Sequence, residues 1–328
     1  MLKSLMGWID SWSVSTASLN LNPENRKIQW LRILPFILLH IACLGVFWVG
    51  VSWFAVVFML VFYLIRMFAI TAFFHRYFSH KTFQTSRLVQ FIFALLGTMS
   101  AQRGPLWWVA HHRYHHRHTD TAQDPHSSTH GFWYSHVGWF LNEYNFATRK
   151  EVIKDWLQYP ELIWLDRFSL IVVLLTAMSI YALGEAVAMM WPSLSTSGFQ
   201  LLVWGFVIST VLLTHATLCI NSLAHHYGTR DFDTHDHSRN NLFLSIITLG
   251  EGWHNNHHYY AGSTRQGFYW WQIDVTYYVL KLMSCLGLVW GIKPIPDKVY
   301  QVSRIAQRIR SKQPAQTSQS EIQSKESL

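Results

Sequence analysis

Nineteen histidines stand in this 328-residue chain, and they are grouped rather than scattered. His75 and His80 bracket the string His-Arg-Tyr-Phe-Ser-His. His111, His112, His115 and His116 form His-His-Arg-Tyr-His-His, and His254, His257 and His258 form His-Asn-Asn-His-His. His225 and His226 close Asn-Ser-Leu-Ala-His-His, which begins at Asn221. On an α-helix, positions i, i+3 and i+4 share a face. His112, His115 and His116 have that spacing, as do His254, His257 and His258, and Asn221 pairs with His225 at i, i+4. Each triplet is expected to project several imidazoles into one volume. Neutral imidazole is a common metal ligand. Eight or nine of them exceed the capacity of one ion and suit two ions of four to six ligands each. Structural zinc sites take four ligands, usually with cysteine. The one cysteine near a cluster is Cys219, inside an apolar run. Imidazole suits iron, copper, zinc and nickel alike, so ligand type leaves the metal open.

The elements that hold these groups are apolar. Half the chain is hydrophobic and only 13% is charged, against about 25% in soluble domains. That is too little charge to cover two soluble domains, and too many aromatics and aliphatics for disorder. Cys43, Cys219 and Cys285 each sit in an apolar run and read as small buried hydrophobes in a reducing compartment, not as a disulfide scaffold. Residues 33–49, 51–74, 168–190 and 199–220 each approach the roughly 20 residues that cross a bilayer. They predict an all-α integral membrane protein with four transmembrane helices in two hairpins, 31–74 and 168–223. A helical cytoplasmic domain, from segments 75–167 and 224–310, carries the histidines between and after the hairpins. Residues 1–30 form a cytoplasmic arm without the pattern of a cleavable signal, and the Gln/Ser-rich residues 311–328 a disordered tail. The apolar run at 88–99 is short enough to be a buried or re-entrant helix. The run at 274–290, interrupted by Lys281, reads as an interfacial or packing helix.

Lys and Arg set the orientation. Four lie in the N-terminal arm and at its edge, ten lie from Arg76 to Arg167 and eleven from Arg230 to Lys325, with none in the two short hairpin loops. The positive-inside rule places the termini, the central segment and every histidine cluster in the cytoplasm. The net charge of +8 thus reflects topology and contact with anionic headgroups, not a nucleic-acid face. Arg66 alone falls inside a span. It is read as snorkelling or paired in the interior, with gating or positioning as the functional alternative.

Taken in order, the three histidine boxes and the Asn-Ser-x-x-His element resemble the integral membrane fatty acid desaturase family, most of all its delta-9, stearoyl-CoA desaturase-like branch. Further strings support the resemblance. They are Ala69-Ile70-Thr71-Ala72, Asp124-Pro125-His126, residues 131–139 (Gly-Phe-Trp-Tyr-Ser-His-Val-Gly-Trp) and Gly250-Glu251-Gly252-Trp253-His254. The resemblance implies two iron ions (Fe2+/Fe3+) held by His75, His80, His112, His115, His116, His225, His254, His257 and His258, with Asn221 acting through a water. His111 and His226 fall outside that pattern. Asp124, His126 and Glu251 would orient imidazoles. The implied activity is O2-dependent insertion of a cis double bond, at delta-9, into a saturated acyl chain carried as acyl-CoA or acyl-lipid. Two electrons come from outside, from ferredoxin or a cytochrome b5-type carrier with its reductase, since no fused haem domain is expected here. Trp107 and Trp108 are expected in the wall of the acyl tunnel. The family often has Trp three residues before the Asn that matches Asn221; Leu218 stands there, which bears on tunnel shape. Gln102, Arg103 and Gly104 are candidates to meet a polar headgroup. The expected location is a bacterial inner membrane, with termini and active site cytoplasmic.

Two other readings use the same residues. An acyl-chain hydroxylase of the same superfamily would keep the irons and change the product. A membrane metal-binding or transport protein would need polar ligands along the spans, which offer little beyond His40, Arg66 and His215.

Overall fold

The computed structural model describes residues 9–13, 28, 30–303, 305 and 307. The expected tail at 311–328 and most of the expected arm at 1–30, all but residues 9–13, 28 and 30, lie outside them.

Apolar runs must satisfy their own backbone where no water reaches, which favours helices. Helix α1 (Trp30–Ala42) passes through a 3₁₀ turn, Cys43–Gly45, into α2 (Val46–Val49). Gly50, at φ 65°, ends that rod. Ser52 then caps α3 (Trp53–Ser79), its Oγ accepting the Ala55 N–H at 3.2 Å. The strand β1 (Gln84–Thr85) is followed by α4 (Arg87–Thr98) and α5 (Pro105–His118), the latter opened by Pro105 at its first turn. Residues 119–159 are largely turns, short 3₁₀ pieces and a π turn at Tyr134–Gly138, less regular than the helical domain expected there. Then come α6 (Pro160–Arg167), α7 (Ser169–Met190) and α8 (Gly198–His226). The chain finishes with α9 (Leu242–Ile247), α10 (His254–Tyr259), α11 (Val275–Cys285), β2 (Val289–Trp290) and α12 (Asp297–Val302). β1 and β2 pair antiparallel, a small exception to the all-α expectation.

Among the described residues, three helices are long and apolar enough to cross a membrane: α3, α7 and α8. The first expected span is a shorter apolar helix. The boundaries also differ in a way that matters for the site. The second expected span does not stop at residue 74, because α3 runs on through His75 to Ser79. The fourth likewise continues through Asn221 and His225 to His226. Two of the long apolar helices therefore carry metal-ligand candidates on their own ends, joined rigidly to the bundle.

Small residues let the bundle close. A Cβ at Gly184 of α7 would lie 2.8 Å from the Gly198 Cα of α8, so these helices meet backbone to backbone. Arg66 is fully buried in α3. Its guanidinium donates to Thr210 Oγ1 at 2.7 Å, Ser209 Oγ at 2.6 Å and the Met99 carbonyl at 3.2 Å, so it ties α3 to α8 and to the end of α4. Below it, the Phe73 and Phe93 rings stack at 4.0 Å between centroids within the main core. Phe47, Trp48 and Trp53, by contrast, point outward, as aromatic residues at a membrane boundary do.

A row of three histidines joins α1 to the rest. His40 Nδ1 donates to the Phe36 carbonyl at 2.7 Å, leaving its Nε2 to accept from His215 Nε2 at 2.9 Å. His215 Nδ1 then accepts from His136 Nε2 at 3.0 Å, and His136 Nδ1 meets Ser222 Oγ at 2.9 Å. Each neutral ring donates once and accepts once, so a single tautomer pattern satisfies the row. His215→Leu removes both central contacts and strands two rings, at about 1–3 kcal/mol per unsatisfied group. The expected result is a lower thermal midpoint in detergent than for His226→Leu, an exposed position, measured side by side.

Candidate metal centre

Residues five apart do not share a face on an α-helix, so the first box could not be placed by α-helical spacing. From Ala69 to Ser79 the helix α3 is π-wound, and the His80 N–H reaches the His75 carbonyl at 3.3 Å. An i→i+5 turn sets residues five apart one above the other, and the His75 and His80 rings stand 5.0 Å apart. On α5 and α10 the i, i+4 pairs stay together and the third histidine turns aside. His112 and His116 join His75, His80 and His257 in one cluster, while His115 joins His225, His254 and His258 in another. The triplets are thus split between two volumes, a correction to the expectation that each fills one. Within each group the nearest ligating atoms all lie within 4.8 Å of one another. All nine expected histidines are used, five in the first cluster and four in the second.

Carboxylates stand behind four of the rings. Glu251 Oε2 contacts His75 Nδ1. Asp124 meets His115 Nδ1 at 2.9 Å, Asp236 meets His258 Nδ1 at 2.9 Å and Asp120 meets His225 Nδ1 at 3.3 Å. A carboxylate accepts only, so the proton sits on Nδ1 and the Nε2 lone pair turns inward. Two of those inner nitrogens meet no partner atom and two face another imidazole nitrogen. His115 Nε2 and His258 Nε2 are buried without a partner. His75 Nε2 faces His257 Nε2 at 3.0 Å and His225 Nε2 faces His254 Nε2 at 3.1 Å. Lone pairs converging at such distances fit a cation placed among them, and two all-imidazole sets suit two transition-metal ions.

Electrostatics keeps most of the rings neutral. Burial, then repulsion from neighbouring imidazoles, holds His80, His112, His116, His254 and His257 well below the usual histidine range. Burial takes His258 down to about 4 against the pull of Asp236. In His115 burial pulls the same way, but the Asp124 charge and hydrogen bond outweigh it and raise the pKa.

The remaining expected residues are placed as follows. Asp124 and Glu251 bear on ligand candidates directly. His126 lies with its ring 4.1 Å from that of His115, but its Nδ1 is 3.9 Å from Asp124 and makes no hydrogen bond. Asn221, Trp107, Trp108 and Leu218 line a cavity of about 340 Å³ together with His112 and His126. Its other walls are largely apolar, from α1 (Ile33, Phe36, Leu39) and from Leu170, Val173 and Phe206. Trp108 stacks on His112 at 5.1 Å, so a ring of the first cluster forms part of the cavity wall. His111 also lines it, and its Nδ1 donates to the Trp107 carbonyl at 2.8 Å. Gln102 and Arg103 lie in the same wall.

Three supporting residues escaped the reading of the sequence: Asp120, Asp236 and Gln266. The Gln266 amide reaches Glu251 at 3.1 Å and His257 Nδ1 at 3.4 Å. A signal existed for the two acids, because Asp120 lies four residues after His116 and Asp236 lies between His235 and His237. Nothing in the sequence distinguishes Gln266. Because Asp124 fixes the His115 tautomer, Asp124→Asn lets that ring turn over. Loss of such a partner costs about 10–100-fold in metal affinity. The expected outcome is that Asp124→Asn, purified at matched concentration, retains less metal than wild type after dialysis against a weak chelator, with an unchanged far-UV spectrum.

Residues 51–281 match the profile of the family described as fatty acid desaturase. The chain is 40% identical over 223 residues to the acyl-CoA 5-desaturase of Anemone leveillei, covering 67% of this chain and 65% of that protein. It is 36% identical over 222 residues to the sn-2 palmitoyl-lipid 9-desaturase of Nostoc sp. (strain 36), covering 66% of this chain and 73% of that one. It is 35% identical over 220 residues to the sn-1 stearoyl-lipid 9-desaturase of Anabaena variabilis, covering 66% and 75%. The match thus spans slightly less than two thirds of the Anemone protein's length. With the family profile matching well over half of the chain, and the histidine boxes inside that stretch, this protein belongs to the fatty acid desaturase family.

Proposed function

We propose that the protein is a membrane desaturase that inserts a cis double bond, at delta-9, into a saturated acyl chain presented as acyl-CoA or acyl-lipid. One observation carries this reading: a mainly apolar cavity has in its wall His112, a member of a two-cluster, nine-histidine centre. The relatives' names supply the substrate class, since they include acyl-CoA and acyl-lipid enzymes acting at position 5 or 9.

In this reading His75, His80, His112, His116 and His257 hold one iron and His115, His225, His254 and His258 the other, with Asn221 acting through a water. Bound iron would supply the O2-dependent oxidation that side chains alone cannot perform on an unactivated methylene. Two hydrogens leave the chain, and with O2, two electrons and two protons they appear as two waters. The protein's part is positional. Glu251, Asp124, Asp120 and Asp236 hold the inner lone pairs toward the irons. Trp108 braces His112, and the cavity walls of α1, α7 and α8 keep the chain fixed and dry. Leu218 stands in the wall with Trp107 and Trp139 and leaves more room there than a Trp would.

The topology belongs to the same reading. The α1–α2 rod, 30–49, is about 30 Å long at 1.5 Å per residue and pairs with α3 as one hairpin. α7 and α8 form the other, giving four crossings. The placement of Lys and Arg supports a cytoplasmic centre, in the inner membrane of a bacterium.

The test is expression in a desaturase-deficient host, with double bonds located by mass spectrometry. The expected product is a delta-9 cis monoene that disappears in His112→Ala. A hydroxylated chain would instead support the oxygenase reading, and a double bond elsewhere would overturn the assigned position alone. Leu218→Trp is expected to lower conversion of the longest accepted chain at least several-fold relative to shorter ones.

A further inference from the structure

The first histidine cluster can be reached from two places. One is the apolar cavity, which has His112 in its wall. The other is an open depression of about 390 Å³ lined by His80, His116, Lys81, Arg113, Arg117 and Asp155. His75, His115, His225, His254 and His257 are buried, whereas His80, His112, His116 and His258 are half-buried, and of these His80 and His116 line the depression. In the depression, imidazoles of the metal cluster come up to an open surface.

That surface is cationic. Lys81 and Arg117 are exposed. Asp155 accepts from Lys81 at 2.6 Å and from Arg113 at 2.8 Å, one carboxylate among three cations. Arg113 is also fixed from below, donating to the Phe78 carbonyl at 2.6 Å and the Ser79 carbonyl at 3.0 Å, so it buttresses the π-wound end of α3. The lining has no aliphatic side chain, which does not suit a lipid tail. A rim of one sign over a buried reactive centre steers an oppositely charged partner and favours brief, repeated encounters.

We propose that this depression is the docking surface of a small acidic one-electron carrier protein, which feeds the centre through the ring edges of His80 and His116. The proposal rests on the desaturase reading, which requires two electrons per double bond. Each docking oxidises the carrier by one electron and reduces the centre by one, so two dockings serve each turnover. Because the acyl chain enters by a separate cavity, the carrier can dock while the substrate is in place.

The experiment uses the full chain in detergent, iron-loaded, with reduced plant-type ferredoxin as the acidic carrier and photoreduced deazaflavin as a small reductant that needs no docking surface. The readouts are the Kd for ferredoxin, measured without substrate, and the ratio of ferredoxin-driven to deazaflavin-driven product. Arg117→Glu is expected to raise the Kd and lower the ratio at least tenfold. Lys81→Glu should act in the same direction, and added salt should weaken wild-type binding. Lys298→Glu, an exposed charge reversal on α12, should change neither readout. An unchanged Kd and ratio in both rim variants would overturn the proposal, as would equal losses by both reductants with ferredoxin binding intact. If wild type gives no product with either reductant, yet binds ferredoxin in a manner that Arg117→Glu abolishes, the desaturase reading fails and the docking surface stands.

Discussion

Nine imidazoles brought edge to edge into two small volumes cannot all turn a lone pair inward unless something positive sits among them, and the rest of the structure follows from that arrangement. Each ring needs its outer nitrogen occupied, or it could rotate and face the wrong way. Glu251, Asp124, Asp120 and Asp236 fill that role for four rings, and each carboxylate is itself held. Glu251 is braced by Arg76, which in turn is held by Asp274. Asp124 accepts the backbone N–H groups of Asp120 and His126. Asp120 serves His225 and His237 together. Buried charges persist only when paired and hydrogen-bonded, so this outer layer is as demanding as the ligands themselves.

Rigidity comes from joining the centre to the apolar bundle without a break. α3 delivers His75 and α8 delivers Asn221 and His225 before either helix ends. The π winding of α3 is the local device that turns a spacing of five into a shared face. Arg66 and the row of His40, His215 and His136 lock α1, α3 and α8 to one another farther down. The helices that wall the apolar cavity are thus among those that position the candidate ligands, so the distance from cavity to centre is set largely by packed secondary structure.

The centre is also asymmetric in its access. The apolar cavity, beside Trp108, is lined by His112; the polar depression, beside Lys81 and Arg117, is lined by His80 and His116. All three rings belong to the first cluster. The second is sealed by Asp120, Asp124 and Asp236, arriving from the irregular segments after α5 and α8.

Much of this was written in the sequence. The boxes are legible because one residue type recurs at helical spacing beside long apolar runs, and periodicity survives any tertiary detail. Asp124 and Glu251 could be read because they lie next to the boxes in recognisable strings. Other features had no local signature. Whether His115 sides with His116 or with His225 depends on how α5 meets α8 and α10, since i+3 and i+4 diverge by enough to reach different neighbours. The usefulness of the pair His75 and His80 hinged on a winding that hydrophobic patterning does not encode. Asp120 reaches the His225 ring across 105 residues of sequence and Gln266 reaches the His75 ring across 191. Sequence by itself determined the candidate ligand type, the boxes in which it recurs and the apolar helices beside them, because these are properties of short segments. Only the tertiary structure decided which rings share a metal volume, which acids fix their tautomers and where the centre opens, because those depend on contacts between segments far apart in the chain.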